Sequence, residues 1–356
     1  MSAPKPEIPV SQKVEIRRLD GEMHSATSGY MEMKDPSVIR EQDGSYKMYC
    51  SLGTSVTQQW VIGRFAADHP AGPWQELPHT KVENVAGGEV CAPAVMTRND
   101  NGKTVYHMYV QTTCFSPDGV IAQAVSEDGH VFKGLAQPAM TKEDLLPEDL
   151  QNVMSLYDVG ISEFDIQGKT HECMVFSGYR SIGCGDVYMS LREKKDGAAA
   201  ERPWPTPVLI LKQEDVPFHN KPGAENFEWG LEGIKIDRLE EGAYLMTGVC
   251  FLDRPNEERG TRQRVFFAAA ASPEGPYIPM RTPVTPTAYP EGTGENGHPD
   301  TIDMGDKMGL LYQERAGEGQ PWHLRYMDFD KKQLTAEVKA KLTAKAPTAA
   351  PRPPQP

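Results

Sequence analysis

Three acidic residues and one histidine stand at matching places in the sequence, each just before a short apolar stretch. Asp35 precedes PSVI, Asp158 precedes VGI, Glu232 precedes GIKI and His298 precedes PDTI. Carboxylates held close together raise the pKa of at least one member of the group. A protonated acid beside an ionised one is the equipment for general acid–base chemistry, including the hydrolysis of glycosidic bonds.

The surroundings of two of these acids favour different roles. Glu232 lies in WGLEGIKI near Trp229 and Ile234, and burial among apolar groups raises the pKa of a carboxyl group. Glu232 is therefore predicted to be a general acid. Asp35 follows Lys34, whose charge favours the ionised carboxylate when the two side chains are near, and an ionised carboxylate suits a general base. Adjacent residues point to opposite faces of a strand, so a regular strand would keep Lys34 away from Asp35.

The elements that would position these residues form an internal repeat of five units. Each unit reads as a short apolar strand, a turn rich in Asp, Asn and Gly, and a second strand of alternating aromatic and aliphatic residues. Phrases such as AADHPAGPWQ and AASPEGPYIP follow most of the hairpins and read as outer strands. The pattern predicts an all-β fold, a five-bladed β-propeller with a central funnel-shaped site. The first strands lie nearest the axis, so the leading residues should meet there: Asp35, Ala92, Asp158, Glu232 and His298.

Three segments are expected along the chain. Residues 1–25 form an N-terminal extension, residues 26–332 form the propeller, and residues 333–356 form a tail. The tail combines a short helix over Leu334–Leu342 with an Ala/Pro-rich end, whose composition predicts disorder. A further short helix is expected within residues 140–154.

Composition limits the partners and the compartment. The chain has 356 residues and a formal net charge of −13 without a basic cluster, so nucleic acid is not expected as a partner. No apolar run approaches the ~18 residues of a membrane span, and the N-terminus has no apolar signal-peptide core. Six scattered cysteines without a CxxC pair are predicted to be buried free thiols, typical of a reducing compartment. A cytoplasmic protein is expected.

On these residues the chain resembles the five-bladed propeller glycoside hydrolases of family 43 and its clan, which include arabinanases, arabinofuranosidases and β-xylosidases. The matching motifs are Asp35-Pro36 before SVI, Asp158 before a GK turn, Glu232-Gly233 before IKI, and Gly297-His298; the resemblance covers roughly residues 30–330. It implies a base at Asp35, a pKa-modulating acid at Asp158 and a general acid at Glu232. His298 resembles the axial histidine, which in some members helps to hold a calcium ion or a water cluster. His298 is thus a candidate calcium ligand, although no cofactor is expected to be required.

The third unit departs from the family pattern. Val159 follows Asp158 where the family usually has proline, and the unit has one more residue before its turn glycine than the first unit has. A one-residue shift turns a side chain to the other face of a strand. Asp158 therefore requires a bulge or a longer turn if it is to point inward. In the second unit, Ala94 stands where the family often has an acid.

Candidates for substrate binding are polar or aromatic side chains expected near the funnel. Core packing or packing between blades is the alternative role for the tryptophans. The candidates are His298, Trp229, Trp60, Arg180 and Arg315.

Together these features predict a glycosidase, of the inverting type, that acts on a pentose-containing (arabinosyl or xylosyl) or related glycoside. The expected partner is a small molecule or an oligosaccharide. Two alternatives use the same propeller. The acids could catalyse cyclisation, isomerisation or elimination on a small metabolite, or the funnel could bind carbohydrate without catalysis.

Overall fold

Five β-sheets surround one axis in the computed structural model of the chain, which confirms the predicted five-bladed propeller. The structure describes residues 10–18, 23–25, 32–53, 60–85, 89–100, 102–112, 119–181, 184–194, 203–217, 230–253, 261–281, 285, 294–317 and 319–345.

The blades follow one another along the chain, except for the first strand, β1 (Gln12–Lys13), which belongs to the fifth blade. Blade I contains β2 (Glu15–Arg17), β3 (Met23–Ser25), β4 (Glu32–Arg40), β5 (Tyr46–Gly53), β6 (Trp60–Ala67) and β7 (Trp74–Leu77). Blade II contains β8 (Lys81–Glu83), β9 (Val90–Asp100), β10 (Lys103–Thr112), β11 (Ile121–Ser126) and β12 (Val131–Gly134).

The helix α1 (Pro147–Leu150) precedes blade III, whose strands are β13 (Ser155–Ile166), β14 (Lys169–Ser181), β15 (Cys184–Glu193) and β16 (Val208–Leu211). Blade IV contains β17 (Glu232–Glu240), β18 (Ala243–Asp253), β19 (Thr261–Ala270) and β20 (Ile278–Arg281). Blade V contains β21 (Glu295–Asp303), β22 (Lys307–Arg315) and β23 (His323–Asp330), and the helix α2 (Lys331–Lys345) follows it.

The inner strand of each blade is the one that the sequence repeat placed nearest the axis. Each inner strand contacts the inner strands of both neighbouring blades, so the five close into a ring: β4, β9, β13, β17 and β21. The leading residues of the sequence repeat lie on these strands. The fold therefore brings five separate parts of the chain to one axis.

The hydrophobic core lies between neighbouring blades. Val175 and Val187 of blade III pack in one cluster with Ile234 and Phe266 of blade IV. The alternation of apolar residues along each strand supplies these contacts, because every second side chain faces the next blade. Burying one such side chain contributes about 1.5–3 kcal/mol to the free energy of unfolding.

Two strands within residues 1–25, the segment expected to be an N-terminal extension, pair with strands of the propeller. Strand β1 pairs antiparallel with β23, and β2 pairs parallel with β7. The Arg325 guanidinium donates hydrogen bonds to the Ser11 hydroxyl at 2.8 Å and to the Ser11 carbonyl at 3.0 Å. Strand β1 thus completes the fifth blade as its outermost strand and closes the ring.

Helices play a minor part in the described chain. Helix α2 runs longer than the expected Leu334–Leu342, and its Leu334 and Val338 are buried against blades IV and V. Residues 140–154, where a short helix was expected, contain a 3-10 turn over Lys142–Asp144 and a single α-helical turn, α1. The Ala/Pro-rich end lies outside the described residues. Within the described ranges, no helix has the length and apolar character needed to cross a membrane.

The cysteines differ in part from the expectation. Cys50, Cys173 and Cys250 are buried free thiols, as predicted. Cys91 is disulfide-bonded, so the prediction of a free thiol is wrong at this position.

Candidate functional site

Every inner strand carries the same irregularity where it reaches the axis. Two residues have no partner on the second strand of the blade, and the first of them has a left-handed backbone with φ between 42° and 54°. Such a bulge bends the strand and turns its side chains in a new direction. The bulges are residues 35–36, 92–93, 158–159, 233–234 and 298–299.

Glu232 lies one residue outside the ring of leading residues in which the repeat placed it. Gly233 occupies the ring position, with φ 54°, and Glu232 is still paired with Val249. A Cβ atom on Gly233 would lie 2.9 Å from the Cα atom of His298, so only glycine fits there. The carboxylate of Glu232 therefore enters the funnel from its wall, while Asp35, Asp158 and His298 occupy the ring.

His298 is the centre of the candidate site. Its Nε2 atom lies 2.9 Å from Oδ2 of Asp158 and 3.7 Å from Oε2 of Glu232. Its Nδ1 atom lies 3.7 Å from Oδ1 of Asp35. The two carboxylates predicted to be base and acid thus approach different nitrogens of one imidazole. The fold brings together the three acids and the histidine that the repeat placed at the axis.

Two further residues hold this group in place and were not identified from the sequence. The Tyr179 hydroxyl donates a short hydrogen bond to Oε1 of Glu232. The side-chain amide of Gln313 accepts the backbone N–H of Asp35 at 2.9 Å and lies 2.9 Å from Nδ1 of His298. A signal was present for Gln313, because it is a polar residue in the otherwise apolar run GLLYQ of β22.

Asp158 points inward because of the bulge that all five blades share. The extra residue of the third unit lies at the far end of the hairpin, where β13 and β14 stay paired up to Ile166 and Lys169. The backbone N–H of Asp158 donates to Oε1 of Gln111 on blade II at 3.4 Å. The longer third unit therefore leaves the position of this carboxylate at the axis unchanged.

Lys34 also reaches the site, against the expectation for a regular strand. It occupies the position in blade I that Glu232 occupies in blade IV, just before the bulge. Its ammonium lies 3.9 Å from Oδ2 of Asp35 and 4.2 Å from the ring centroid of Trp60. Trp60 is thus near the site, but a cation covers one face of its ring. That face is not an open platform for a sugar.

The remaining predicted binding residues are placed less directly. Arg315 is buried and forms an ion pair with Glu295, with Nη2 and Oε2 2.5 Å apart, and its guanidinium lies 4.4 Å from the ring centroid of Trp322. The guanidinium is therefore engaged within the protein. The backbone of Arg180 lies in β14 beside Tyr179, and its side chain is outside the described part of the structure. Trp229 lies outside the described residues.

The electrostatics of the site separate two of the acids, Glu232 and Asp158. Burial and the negative charge of Asp158 raise the pKa of Glu232 to about 7. Burial also acts to raise the pKa of Asp158, but its interaction with His298 outweighs burial and lowers that pKa. The site therefore combines a carboxyl group that is protonated up to neutral pH with a neighbouring carboxylate that stays ionised.

A calcium ion bound directly by His298 does not fit this geometry. Ligand atoms of Asp158, Glu232 and His298 lie within 4.8 Å of one another, which is compatible with a shared ion. Both ring nitrogens of His298, however, have hydrogen-bond partners in Asp158 and Gln313. Calcium also prefers oxygen ligands over imidazole nitrogen.

Replacement of Glu232 by Gln is expected to stabilise the fold at alkaline pH. Because the folded state raises the pKa from 4.5 to about 7, ionising Glu232 costs stability as the pH rises through that interval. The gain for Glu232→Gln should approach about 3 kcal/mol at pH 8 and vanish near pH 4.5. Chemical denaturation at the two pH values measures it.

The matched control is Glu295→Gln, which breaks the buried ion pair with Arg315. It should destabilise the protein at both pH values, by about 3–5 kcal/mol. A Glu232→Gln protein that is no more stable than the parent at pH 8 would contradict the raised pKa.

Comparisons with known proteins agree with this architecture. The sequence matches no family model and no curated protein. Among solved structures, an endo-arabinase from Bacteroides thetaiotaomicron is similar with a TM-score of 0.61 and 15% identity, over 85% of this chain and 96% of that chain. A thermostable family-43 glycoside hydrolase gives a TM-score of 0.58 and 18% identity, over 92% and 96% of the two chains.

A third similar structure is an α-L-arabinofuranosidase from Lactobacillus brevis, with a TM-score of 0.53 and 15% identity, over 85% of this chain and 94% of that chain. At these identities the likeness establishes a common fold.

Proposed function

We propose that the chain is an inverting glycoside hydrolase in which Asp35 is the general base and Glu232 the general acid. The observation that carries the proposal is the arrangement around His298, where the two carboxyl groups approach different ring nitrogens at 3.7 Å each. An inverting enzyme needs its acid and its base on opposite sides of the scissile bond, with room for a water molecule.

The proposed reaction is a single displacement. Asp35 removes a proton from a water molecule as the water oxygen attacks the anomeric carbon. Glu232 gives its proton to the glycosidic oxygen as the bond between that oxygen and the anomeric carbon breaks. The products are a sugar of inverted configuration and a free alcohol. Asp35 ends protonated and Glu232 ionised, and proton exchange with solvent restores both.

Asp158 acts in this proposal through the pKa of Glu232. Its negative charge adds to the effect of burial and keeps the acid protonated near neutral pH. The Tyr179 hydrogen bond works in the opposite direction, because it stabilises the ionised carboxylate that remains after proton transfer. The two contacts together place the pKa of Glu232 where a general acid works best at neutral pH.

The substrate class proposed is a pentose-containing glycoside, with arabinosyl or xylosyl units. The similar folds include an endo-arabinase and an α-L-arabinofuranosidase, and the acids of this chain stand in the order that the family resemblance implies. The acid-lined axis also suits a neutral sugar, because the ionised carboxylates of the site would repel an anionic one.

The test is a panel of aryl glycosides: an arabinofuranoside, a xylopyranoside and a galactopyranoside. We expect turnover of at least one pentoside, with inversion seen by proton NMR of the product at early times. The Asp35 and Glu232 carboxyl groups should lie about 6.5–9.5 Å apart in a crystal structure. Retention of configuration would show a covalent intermediate and a wrong role for Asp35. No turnover of any glycoside would favour non-hydrolytic chemistry or binding.

A further inference from the structure

One position recurs on the second strand of every blade, directly opposite the last paired residue before the bulge. It is occupied by Ser51, Gln111, Ser177, Val249 and Gln313 in blades I to V. The five residues are equivalent by register, although they differ in type. All five are buried, so a polar side chain at this position needs a partner within the protein.

Three of these side chains accept a hydrogen bond from the next blade. Ser51 Oγ accepts the backbone N–H of Ala92 at 2.9 Å, and Gln111 Oε1 accepts the backbone N–H of Asp158 at 3.4 Å. Gln313 Oε1 accepts the N–H of Asp35 at 2.9 Å and links blade V to blade I. Each donor is the first residue of a bulge, where the regular pairing of the blade is interrupted. These contacts hold the ring positions of neighbouring blades together.

Gln313 differs from the other two because its amide has a second contact. Its nitrogen lies 2.9 Å from Nδ1 of His298, so one side chain touches both Asp35 and His298. The backbone N–H of Asp35 can only donate, and the atom of Gln313 that faces it must be the oxygen. The NH2 group therefore faces His298, and Nδ1 of the imidazole must accept.

This pattern assigns the proton on the imidazole. If Nδ1 accepts, the proton of a neutral ring lies on Nε2, where it is donated to Oδ2 of Asp158 at 2.9 Å. The negative charges of Asp158 and Asp35 outweigh burial and raise the pKa of His298 to about 9, which favours a second proton. That proton would lie on Nδ1, however, and face the NH2 group of Gln313. Two buried donors would then face one another, since the nearest carboxylate oxygen, Oδ1 of Asp35, lies 3.7 Å from Nδ1, beyond hydrogen-bond distance.

We propose that Gln313 is a positioning residue of the site, which fixes the backbone of Asp35 with its amide oxygen and keeps Nδ1 of His298 unprotonated with its NH2 group. The kinetic consequence rests on the proposed hydrolase function, whereas the state of the imidazole does not. Gln313 thus connects Asp35, the proposed base, to His298, which lies between Asp35 and Glu232.

The first test is nitrogen-15 NMR of the histidine side chains at pH 7, with the His298 signals identified from their loss in His298→Asn. In the parent protein we expect Nδ1 in the unprotonated range and Nε2 in the protonated range. In Gln313→Glu the new carboxylate can accept from Asp35 N–H and from Nδ1, so Nδ1 should move to the protonated range. A protonated Nδ1 in the parent, or no change in Gln313→Glu, would overturn the assignment, and neither result depends on turnover.

The second test is kinetic and uses Gln313→Met, which keeps the length of the side chain and removes both contacts. We expect kcat to fall about a hundredfold, with KM changed less than about threefold, because the base is misplaced while binding contacts remain. Ser51→Ala removes the equivalent contact to Ala92, outside the group of acids, and should keep kcat within about threefold of the parent. Equal losses of kcat in the two variants would show that Gln313 serves only as a contact between blades. If no glycoside is hydrolysed, the NMR result alone decides the assignment.

Discussion

Asp35→Asn is expected to abolish most of the turnover of every glycoside that the protein hydrolyses. The amide is nearly isosteric with the carboxylate and keeps the backbone contact to Gln313, but it cannot take a proton from the attacking water. General-base catalysis of this kind contributes about 10²–10⁴-fold. The loss should therefore be of that size, and it should be similar for activated aryl glycosides and for natural linkages, since both need the same water.

The measurement is kcat/KM of Asp35→Asn on an aryl glycoside and on an oligosaccharide of the same sugar. An unchanged thermal unfolding midpoint would show that the fold is intact. A variant that keeps more than a tenth of the parent activity on either substrate would show that Asp35 is not the base.

Glu232→Gln is expected to give the opposite pattern, a loss that depends on the leaving group. An oligosaccharide leaves as an alkoxide unless an acid protonates it, so its hydrolysis should fall by about 10³-fold, within the range of general-acid catalysis. A nitrophenolate leaves without a proton, and its glycoside should lose less than about tenfold. The ratio of the two losses is the diagnostic quantity, because it cancels effects on folding and on sugar binding.

Tyr179→Phe is the matched control for Glu232→Gln. It removes the hydrogen bond to Oε1 of Glu232 and keeps the acid itself, so the loss on the oligosaccharide should be far smaller than in Glu232→Gln. Equal losses for the two substrates in Glu232→Gln would contradict the role of general acid.

The sequence predicted the propeller well because the evidence for it is repeated five times. A strand, a turn glycine and a second apolar strand recur in every unit, and an error in one unit is corrected by the others. The same repetition located Asp35, Asp158 and His298, whose positions in the bulges are equivalent. The bulges themselves have no simple sequence signal, since the bulge residues vary from Asp-Pro to Gly-Ile.

Features that depend on the bulge register were predicted incorrectly for this reason. A regular strand would keep Lys34 away from Asp35, but the left-handed backbone at Asp35 brings the two side chains within 3.9 Å. The repeat also aligned Glu232 with the ring, although Gly233 takes that position. Tyr179 could not be distinguished from its neighbour Arg180, because a shift of one residue decides which of the two faces Glu232.

Contacts between distant parts of the chain could not be predicted from one repeat unit at a time. Gln313 acts on Asp35 across 278 residues of sequence, and no local pattern links the two. The pairing of β1 with β23 is equally distant, so the first strand was assigned to an extension. Long-range pairs of this kind are fixed by closure of the ring, which is a property of the whole chain.

The placement of β1 determines when the molecule can finish folding. A ribosome makes residues 12–13 long before residues 323–330, and the two strands pair only after the four intervening blades have been synthesised. Until then β23 has no outer partner, so the open edge of the last blade is exposed to other chains. An N-terminal fusion or a deletion of the first 25 residues should therefore prolong or fix this vulnerable state, and aggregation during synthesis is its consequence.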